Sequence, residues 1–459
     1  MAIDASGKII VNHRLVVRDA AGERILLVAG HDRVALPSFD FEDRHTAETA
    51  YINESARERF GLDVTVLRCL HDSDDDRRPV RVYEMEYHGS NAQRAHDLRW
   101  FTREAIAHLS WRFAEDRASV EDWFSRGQST AHEDWQRPRW WQDAAKWIGD
   151  RVAADGAGRI LRLTQLRAWD SSSVIQVHTE GREYFFKAMP ANTHERAVVV
   201  FLASRIGGGV PQVVANDPNR QWMLMRGFAG DSLEQHQNLE RWAAGVAAYA
   251  AIQVRCVGLT ADLARCGCLT LDMHRLEEEL ERLMADPAAM LPGEPDGLSA
   301  SQIEYLRKQG PTLKRGCRRL AASGVPFTID HGDLWPGNIL ANETGCTIID
   351  WEDVRIAHPF LSIAPLIAGM DTYQPTMNLR GALDRFRDIY SGAFSKWAGS
   401  QQMREIFALA VPIAMMDMAI RYWRQPPATV AVNPWMRGLV PYFASLAYRN
   451  LQPDSGWPD

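Results

Sequence analysis

The spacing of apolar and polar positions changes several times along the chain. "KIIVNHRLVVRD" and "ERILLVAG" read as strands joined by "DAAGE", with Gly22 where a turn tolerates positive φ. "TAETAYINESARERFG" has helical spacing and stops at Gly61, a natural residue just past a helix end. Two further strands come next, "DVTVLRCL" and "VRVYEMEY", and then "LRWFTREAIAHL". The stretch "RGQSTAHEDWQRP" (126–138) is polar, aperiodic and ends in proline, as a linker does. "RWWQDAAKWIGDRVAADG" then predicts a helix whose Trp140, Trp141, Trp147 and Ile148 form a packing face, read as clamping the first domain onto the second.

From residue 160 the rhythm is again that of strands. "ILRLTQLRAWDSSSVIQVHT" predicts strand, turn, strand, and "REYFFKAM" another strand ending near Lys187. A helical run, "THERAVVVFLASRIG", and a strand, "QWMLMRGF", complete this part. Beyond it come long helical stretches, "LERWAAGVAAYAAIQVRCV" and "EIFALAVPIAMMDMAIRYW", interrupted by "FTIDHGDLWPGNILANETGCTIIDWEDV" (327–354), where two short apolar strands flank a polar loop. The acidic run in "LDMHRLEEELERLMADP" reads as a solvated helix face, with a cation-binding wall as the alternative. The pattern predicts an α+β multidomain chain: 1–127 a small α/β/α domain, 128–159 linker and Trp-rich helix, 160–228 a strand-rich lobe, 229–459 a largely helical lobe.

Composition excludes little but points consistently. At 459 residues the chain exceeds one hydrophobic core, and 46% hydrophobic with 24% charged residues is ordinary for a globular protein. A net charge of −7 argues against a nucleic-acid partner and is compatible with a cationic small molecule. No signal sequence or uninterrupted run of apolar residues long enough to span a bilayer is visible, so a cytoplasmic location is expected, with no membrane partner. Six scattered cysteines, including a lone C-x-C at Cys266 and Cys268, read as free thiols.

The chemistry concentrates in 327–354. His331, Asp333 and Asn338 have the spacing H-x-D-x-x-x-x-N, and "CTIID" ends a second strand at Asp350, followed by Trp351 and Glu352. Phosphoryl transfer needs a carboxylate that orients the acceptor hydroxyl and takes its proton, and oxygen ligands for a metal bridging the phosphates. Upstream, Lys187 and Glu195 are spaced to form an ion pair that presents an ammonium to phosphates, although taken alone they fit equally a surface lysine and a glutamate favoured by a helix N-terminus. "WDSSSV" is the candidate phosphate-covering turn; it lacks glycine, but Ser171, Ser172 and Ser173 offer donors.

Over residues 160–425 these motifs resemble the aminoglycoside phosphotransferase and choline kinase superfamily, marked by H-G-D-x-x-x-x-N, an apolar strand and D-[WF]-E. The resemblance implies a bilobal protein-kinase-like fold. It implies Asp333 as catalytic base, Asn338 and Asp350 as Mg²⁺ ligands, and Lys187, paired with Glu195, on the phosphates of ATP or GTP. It puts Met225 to Phe228 at the adenine hinge and makes His331 and Glu352 supports of the loop. Family members often carry Asp-Leu-Ala shortly after D-[WF]-E; here "HPFLSIA" has Ser362 at the Asp position, which puts that bracing contact in question. Asp353, Asp371 and Asp417 are the acceptor-side candidates, while Asp417 and Arg421 also suit a simple i, i+4 pair.

The first 127 residues resemble a Nudix hydrolase in element order, but not in chemistry. With the last Gly of the box G-x5-E-x7-R-E-U-x-E-E-x-G-U set on Gly61, the metal-binding glutamates fall on Ser55, Glu58 and Arg59. One carboxylate beside an arginine is a poor Mg²⁺ site, so a structural or docking domain is expected. The expected activity is therefore Mg²⁺-dependent transfer of phosphate from ATP or GTP to a hydroxyl of an aminoglycoside-like antibiotic, a sugar or amino sugar, or an amino alcohol. A nucleotide-binding scaffold without catalysis and a Nudix-type hydrolase are the alternatives.

Overall fold

The computed structural model describes residues 9–19, 21–72, 79–89, 97–126, 133–379, 381–432 and 435–452; residues 127–132 of the expected linker lie outside them. The chain falls into two compact units, residues 1–192 with 214–227, and residues 193–213 with 228–459.

The first unit opens with strands β1 (Ile10–Arg18), β2 (Arg24–Ala29), β3 (Val34–Ala35) and β4 (Ser38–Glu42), helix α1 (Ala50–Phe60), strands β5 (Val64–Asp72), β6 (Val80–Tyr87) and β7 (Leu98–Thr102), and helices α2 (Arg103–Ile106) and α3 (Ala114–Arg126). The strands form one seven-stranded sheet in which β1 runs parallel to β6 and antiparallel to β2 and β4. Period-two alternation in β1 sends Leu15 and Val17 to one face, with Tyr51, Ile52 and Ala56 of α1, and Val16 to the other, with Val120 and Trp123 of α3. A helix therefore covers each face. Gly22 (φ 71) and Gly61 (φ 66) adopt the left-handed backbone expected of them, Gly61 closing α1 by donating to Arg57 C=O while Leu62 N–H donates to Ala56 C=O.

Helix α4 (Trp140–Ala154) and strands β8 (Ile160–Ala168), β9 (Ser173–Thr179) and β10 (Glu183–Ala188) complete residues up to 192. With two later strands they build a five-stranded sheet in which β8 is an edge. The tryptophans of α4 divide between two neighbours. Trp140, Trp147 and Ile148 pack on this second sheet with Phe186 and Trp222, whereas Trp141 stacks on His88 of the first sheet at 5.9 Å. The Glu86 carboxylate of β6 accepts from Arg139 N–H at 2.7 Å, just ahead of α4.

The edge β8 is met by side chains of the first 127 residues. Buried Gln165 accepts from Val66 N–H (2.9 Å) and donates to Val66 C=O (2.8 Å), copying a strand partner, while Asn53 of α1 donates to its Oε1 (3.1 Å). Thr49 N–H reaches Leu166 C=O at 3.0 Å and Ala168 N–H reaches Ala47 C=O at 3.0 Å. His45 stacks on Trp169 at 4.3 Å. An edge strand left open would invite wrong pairing, and these contacts close it.

The second unit begins with α5 (Glu195–Arg205), which the sequence pattern placed with the strand-rich lobe. His194 bonds Val354 C=O (2.7 Å) and Gly209 C=O accepts from Ile348 N–H (2.9 Å), which ties this segment to the motif-bearing half. Strands β11 (Val213–Asp217) and β12 (Trp222–Arg226) return to the five-stranded sheet, giving the order β11-β12-β10-β9-β8. The second unit continues with β13 (Asp231–Ser232), α6 (Leu239–Cys256), α7 (Thr260–Arg265), α8 (Met273–Met284), α9 (Ala300–Ala321), β14 (Thr328–Asp330), β15 (Ile339–Ala341), β16 (Cys346–Ile348) and β17 (Arg355–Ala357). Helices α10 (Phe360–Ala368), α11 (Met370–Tyr373), α12 (Ala382–Ala393), α13 (Ser400–Trp423), α14 (Pro427–Val432) and α15 (Met436–Asn450) end the unit. Small sheets β13-β15-β16 and β14-β17 carry the catalytic-type motif against these helices.

Helix α8 corrects the solvated-face expectation. Glu277 and Glu279 are buried, Glu277 held by the Arg318 guanidinium (2.7 Å) and Glu279 by Arg282 (3.1 Å) and Arg424 (3.2 Å); Glu278 and Glu281 are the exposed members. Arg318 lies on α9 and Arg424 just beyond α13, too far along the chain for local charge patterning to reveal. All six cysteines are free. Among the described residues, no helix is long and apolar enough to cross a membrane.

Candidate active site

Strand β14 delivers the loop that carries His331, Asp333 and Asn338, and β15 and β16 return the chain to Asp350. His331 is fully buried. Its Nε2 faces Ile349 C=O at 2.9 Å and its Nδ1 faces Asp333 N–H at 3.3 Å, which requires the neutral tautomer with the proton on Nε2. Burial also lowers its pKa, so the ring stays uncharged. Trp351 packs on it at 4.6 Å. Gly332 has φ +86, and a Cβ there would lie 2.2 Å from Asp353 C=O, so only glycine fits between His331 and Asp333.

Asp333 is the electrostatic centre of the loop. Burial, then the charges of Asp353 and Asp350, push its carboxyl up to about 7, against the opposing pull of Arg421 and of the bond from Asn338. A carboxylate so raised is matched to taking a proton near neutral pH. Asn338 uses its amide nitrogen on Asp333, at 2.9 Å to the backbone C=O and 3.3 Å to Oδ2. Its amide oxygen, the atom a hard cation would select, is thereby left off Asp333. Asn338 C=O accepts from Ile349 N–H at 2.9 Å, which joins this residue to the strand end bearing Asp350. Asp350 sits at φ 62, a left-handed conformation that costs a non-glycine residue roughly 1 kcal/mol. Two hard oxygen donors, one amide and one carboxylate, suit Mg²⁺. Among the described residues no group of three or more His, Cys, Asp or Glu forms a metal cluster, so such an ion would complete its shell with phosphate and water. Glu352 is half-buried beside the buried Trp351, whose Nε1 donates to Ile348 C=O at 2.9 Å.

The residues around this loop include several that sequence reasoning missed. Asp330 is completely buried, accepts from Gly332 N–H at 3.0 Å, and pairs with Arg355 Nε at 2.7 Å across the β14-β17 register. Arg355 forks onto Asp417, one arm at 3.1 Å. Burial would raise the Asp330 carboxyl, yet Arg355 and Arg421 hold it below the usual carboxylate range. Arg421 donates to Gly332 C=O at 2.5 Å and lies 3.8 Å from Asp417. Tyr249 and Ser362, bonded to each other, both accept from His331 N–H at 3.0 Å. Ser362 thus does touch the loop, where its departure from aspartate had put that contact in question. The polar Asp330 and Asp417 inside apolar runs were the available signals.

The acceptor-side candidates separate. A small cavity beside Asp333 is lined by Trp335, Leu361, Pro365, Tyr373, Met418 and Phe443. Asp417 also lines it, but its charge is matched by Arg355. Asp353 is exposed and close enough to act on Asp333. Asp371 is exposed and pairs with Arg449 at 3.1 Å; Tyr373, two residues on, is the one that lines the cavity. Burial, then the neighbouring Tyr442 and the Asp333 charge, raise the Tyr373 hydroxyl, and burial with Asp333 and Asp353 raises that of Tyr422.

The nucleotide-side candidates lie in both units. Lys187 is the penultimate residue of β10, buried, opposite Val174 and Met223 on the flanking strands. Met225 of β12 pairs with Phe185 of β10, and Phe228 begins the second stretch of the other unit. Glu195 is buried in the first turn of α5. The serines form a tight hairpin turn closed by Trp169 N–H to Ser172 C=O at 2.8 Å. Ser173 is fully buried with its hydroxyl on Arg167 C=O (3.3 Å), and Ser172 is buried too; Ser171 alone of the three is half-exposed. The inward turn results from β9 alternation, which puts Ser173 on the same face as Ile175 and Val177.

Residues 162–405, more than half of the chain, match the model of the phosphotransferase enzyme family. The chain belongs to that family, whose members are kinases that move phosphate onto hydroxyl groups of small molecules, with ATP as donor and typically Mg²⁺. No curated protein matches the sequence. Among solved structures, the chain is similar to a choline/ethanolamine kinase family protein from Mesorhizobium loti (15% identity, 68% of this chain and 95% of that one, TM-score 0.46). It is also similar to an ethanolamine kinase from Plasmodium vivax (11%, 72% and 96%, TM-score 0.46). A third is a spectinomycin phosphotransferase solved with ADP and spectinomycin (12%, 66% and 98%, TM-score 0.41).

Proposed function

We propose that this phosphotransferase uses Asp333 as the base that takes the proton of an acceptor hydroxyl as its oxygen bonds to the γ-phosphorus of ATP or GTP. The bond from that phosphorus to the β-phosphate oxygen breaks, and the nucleoside diphosphate leaves. The observation that carries the reading is Asp333 itself: a carboxyl raised to about 7 in a loop that also fixes Asn338 and leads to Asp350. Asn338 and Asp350 would hold Mg²⁺, which when bound neutralises charge on the phosphate oxygens. Lys187, with Glu195, would bind the phosphates, Met225 and Phe228 the base, and Ser171 the phosphate edge. His331, neutral and tied at both ring nitrogens, holds the loop, with Glu352 supporting the Asp350 strand end.

The acceptor that the charge beside Asp333 favours is a hydroxylated amine: an amino alcohol, an amino sugar or an aminoglycoside-like molecule. Trp335, Tyr373 and Phe443 offer aromatic surface, and Asp333 with Asp353 adds negative charge that Arg421 offsets only in part, whereas Asp330 and Asp417 are matched directly by Arg355. The first 127 residues fit a Nudix-like, non-catalytic domain. The box positions hold buried Ser55, exposed Glu58 and Arg59, the last lying over the Phe39 ring at 5.4 Å. ADP or GDP release measured with Mg²⁺ and a panel of ethanolamine, choline, glucosamine and kanamycin tests the reading. Turnover stimulated by at least one amine is expected. Nucleotide binding with no stimulated turnover across the panel would favour a non-catalytic scaffold.

A further inference from the structure

We infer that Asp330 and Arg421 are positioning residues for the base: the two ends of a buried four-charge chain that grips Gly332 by both of its backbone groups. This rests on the reading of Asp333 as base. The Asp330 carboxylate takes Gly332 N–H at 3.0 Å, and Arg421 gives a hydrogen bond to Gly332 C=O at 2.5 Å. Between these ends run Asp330 to Arg355 (2.7 Å), Arg355 to Asp417 (3.1 Å) and Asp417 to Arg421 (3.8 Å). Two carboxylates alternate with two guanidiniums, so the chain is neutral as a whole and is tolerated in a buried place.

Gly332 needs holding because glycine is the least restrained residue and this one sits at φ +86, immediately before the base. Its neighbour His331 is fixed by Tyr249 and Ser362, and Asp333 N–H is fixed by His331 Nδ1. The ion chain supplies the remaining two anchors. Ser362, on α10, lies against the same loop. Ser362 accepts one loop N–H, from His331, and the carboxylate that accepts the next, from Gly332, is that of Asp330. The bracing carboxylate sits at the end of β14. It depends on Arg355 and, through it, on α13. The residues are spread over four elements, β14, β17, α10 and α13, so the geometry of the base is set by the packing of the helical lobe rather than by the loop alone.

The test is kinetic, on the full chain, with Asp330→Asn, Arg421→Gln and the double variant Asp330→Asn/Ser362→Asp, reading diphosphate release from MgATP with the fastest amine of the panel or, lacking one, with water. Melting and affinity for a fluorescent ATP analogue report folding and nucleotide binding. The expected result is a 30- to 100-fold drop in kcat for each single variant, KM and nucleotide affinity within about threefold of wild type, and at least tenfold recovery of kcat in the double variant. Arg421, whose side chain is 20% exposed, decides the matter if Asp330→Asn does not fold. A folded Arg421→Gln with kcat within threefold of wild type overturns the proposal, as does a loss confined to KM or a folded Asp330→Asn that the second substitution fails to rescue. Asp333→Asn in the same series keeps the two readings apart. If it is inactive while Arg421→Gln and Asp330→Asn are normal, only the positioning proposal fails; if it retains wild-type turnover, the base reading itself fails.

Discussion

Helix α1 and the loop 331–338 are both short, polar-rich segments with buried polar side chains, yet they use them in opposite ways. In α1 and its lead-in, Thr49 and Asn53 are committed to Gln165 and the β8 backbone, and Gln165 satisfies both backbone groups of Val66. What is buried there is matched except for Asn53 Oδ1, and what is charged, Glu54 and Glu58, faces outward. In the loop the backbone is equally well matched, but Asp333 is left with Asp350 and Asp353 acting against its charge. Matched burial makes a joint; a carboxyl held away from its ordinary charge state in an otherwise satisfied loop makes a reactive group.

The contrast is sharpest at glycine. Gly332→Ala forces a Cβ into Asp353 C=O, so kcat should fall at least a hundredfold; Gly61→Ala, at a helix end with similar φ, should leave kcat within twofold and cost about 1 kcal/mol of stability. Steady-state kinetics and denaturant melts on the pair would break the comparison if the two variants behaved alike. Next in size is Gln165→Leu, which strands Val66 N–H and C=O and Asn53 Nδ2; about 3 kcal/mol of stability should be lost in a urea melt, and a loss under ~1 kcal/mol would show that the joint does not depend on these bonds.

A smaller effect comes from pH. His13, in the first unit, is lowered to about 4 by burial and by the Arg81 charge, and His358, in the second, to about 3 by burial. Both folded values lie below the ordinary 6.5 of an unfolded histidine. The unfolded chain therefore takes up protons first, and this stability, complete above about pH 6.5, is lost as pH falls toward the folded values. Between pH 7 and 5.5 each should cost about 1 kcal/mol, read as a falling melting midpoint that His358→Asn and His13→Asn each flatten. Smallest of all is Glu58→Gln: exposed and outside the joint, it should change neither turnover nor stability by more than ~0.5 kcal/mol.

Much of this was readable along the chain because it is local. The turn at Gly22, the stop at Gly61, the Trp-rich helix and the crowding of His331, Asp333, Asn338 and Asp350 all arise from spacing within some twenty residues. The unread parts are long-range. Arg355 meets Asp417 across 62 positions and Arg421 meets Gly332 across 89, and nothing local distinguishes those arginines from solvated ones. The same reason hid the partners of Glu277 and Glu279, and made α5 look like part of the strand-rich lobe. Ser173 was misjudged differently: strand alternation turned inward a hydroxyl that turn chemistry alone would leave outside.

Asp333→Asn against wild type, in Mg²⁺-dependent ADP or GDP release with the best amine acceptor, bears most directly on the central claim that this loop carries the chemistry. A fall in kcat of about a thousandfold with nucleotide affinity unchanged is the predicted result. Turnover within tenfold of wild type in a folded Asp333→Asn protein would contradict it.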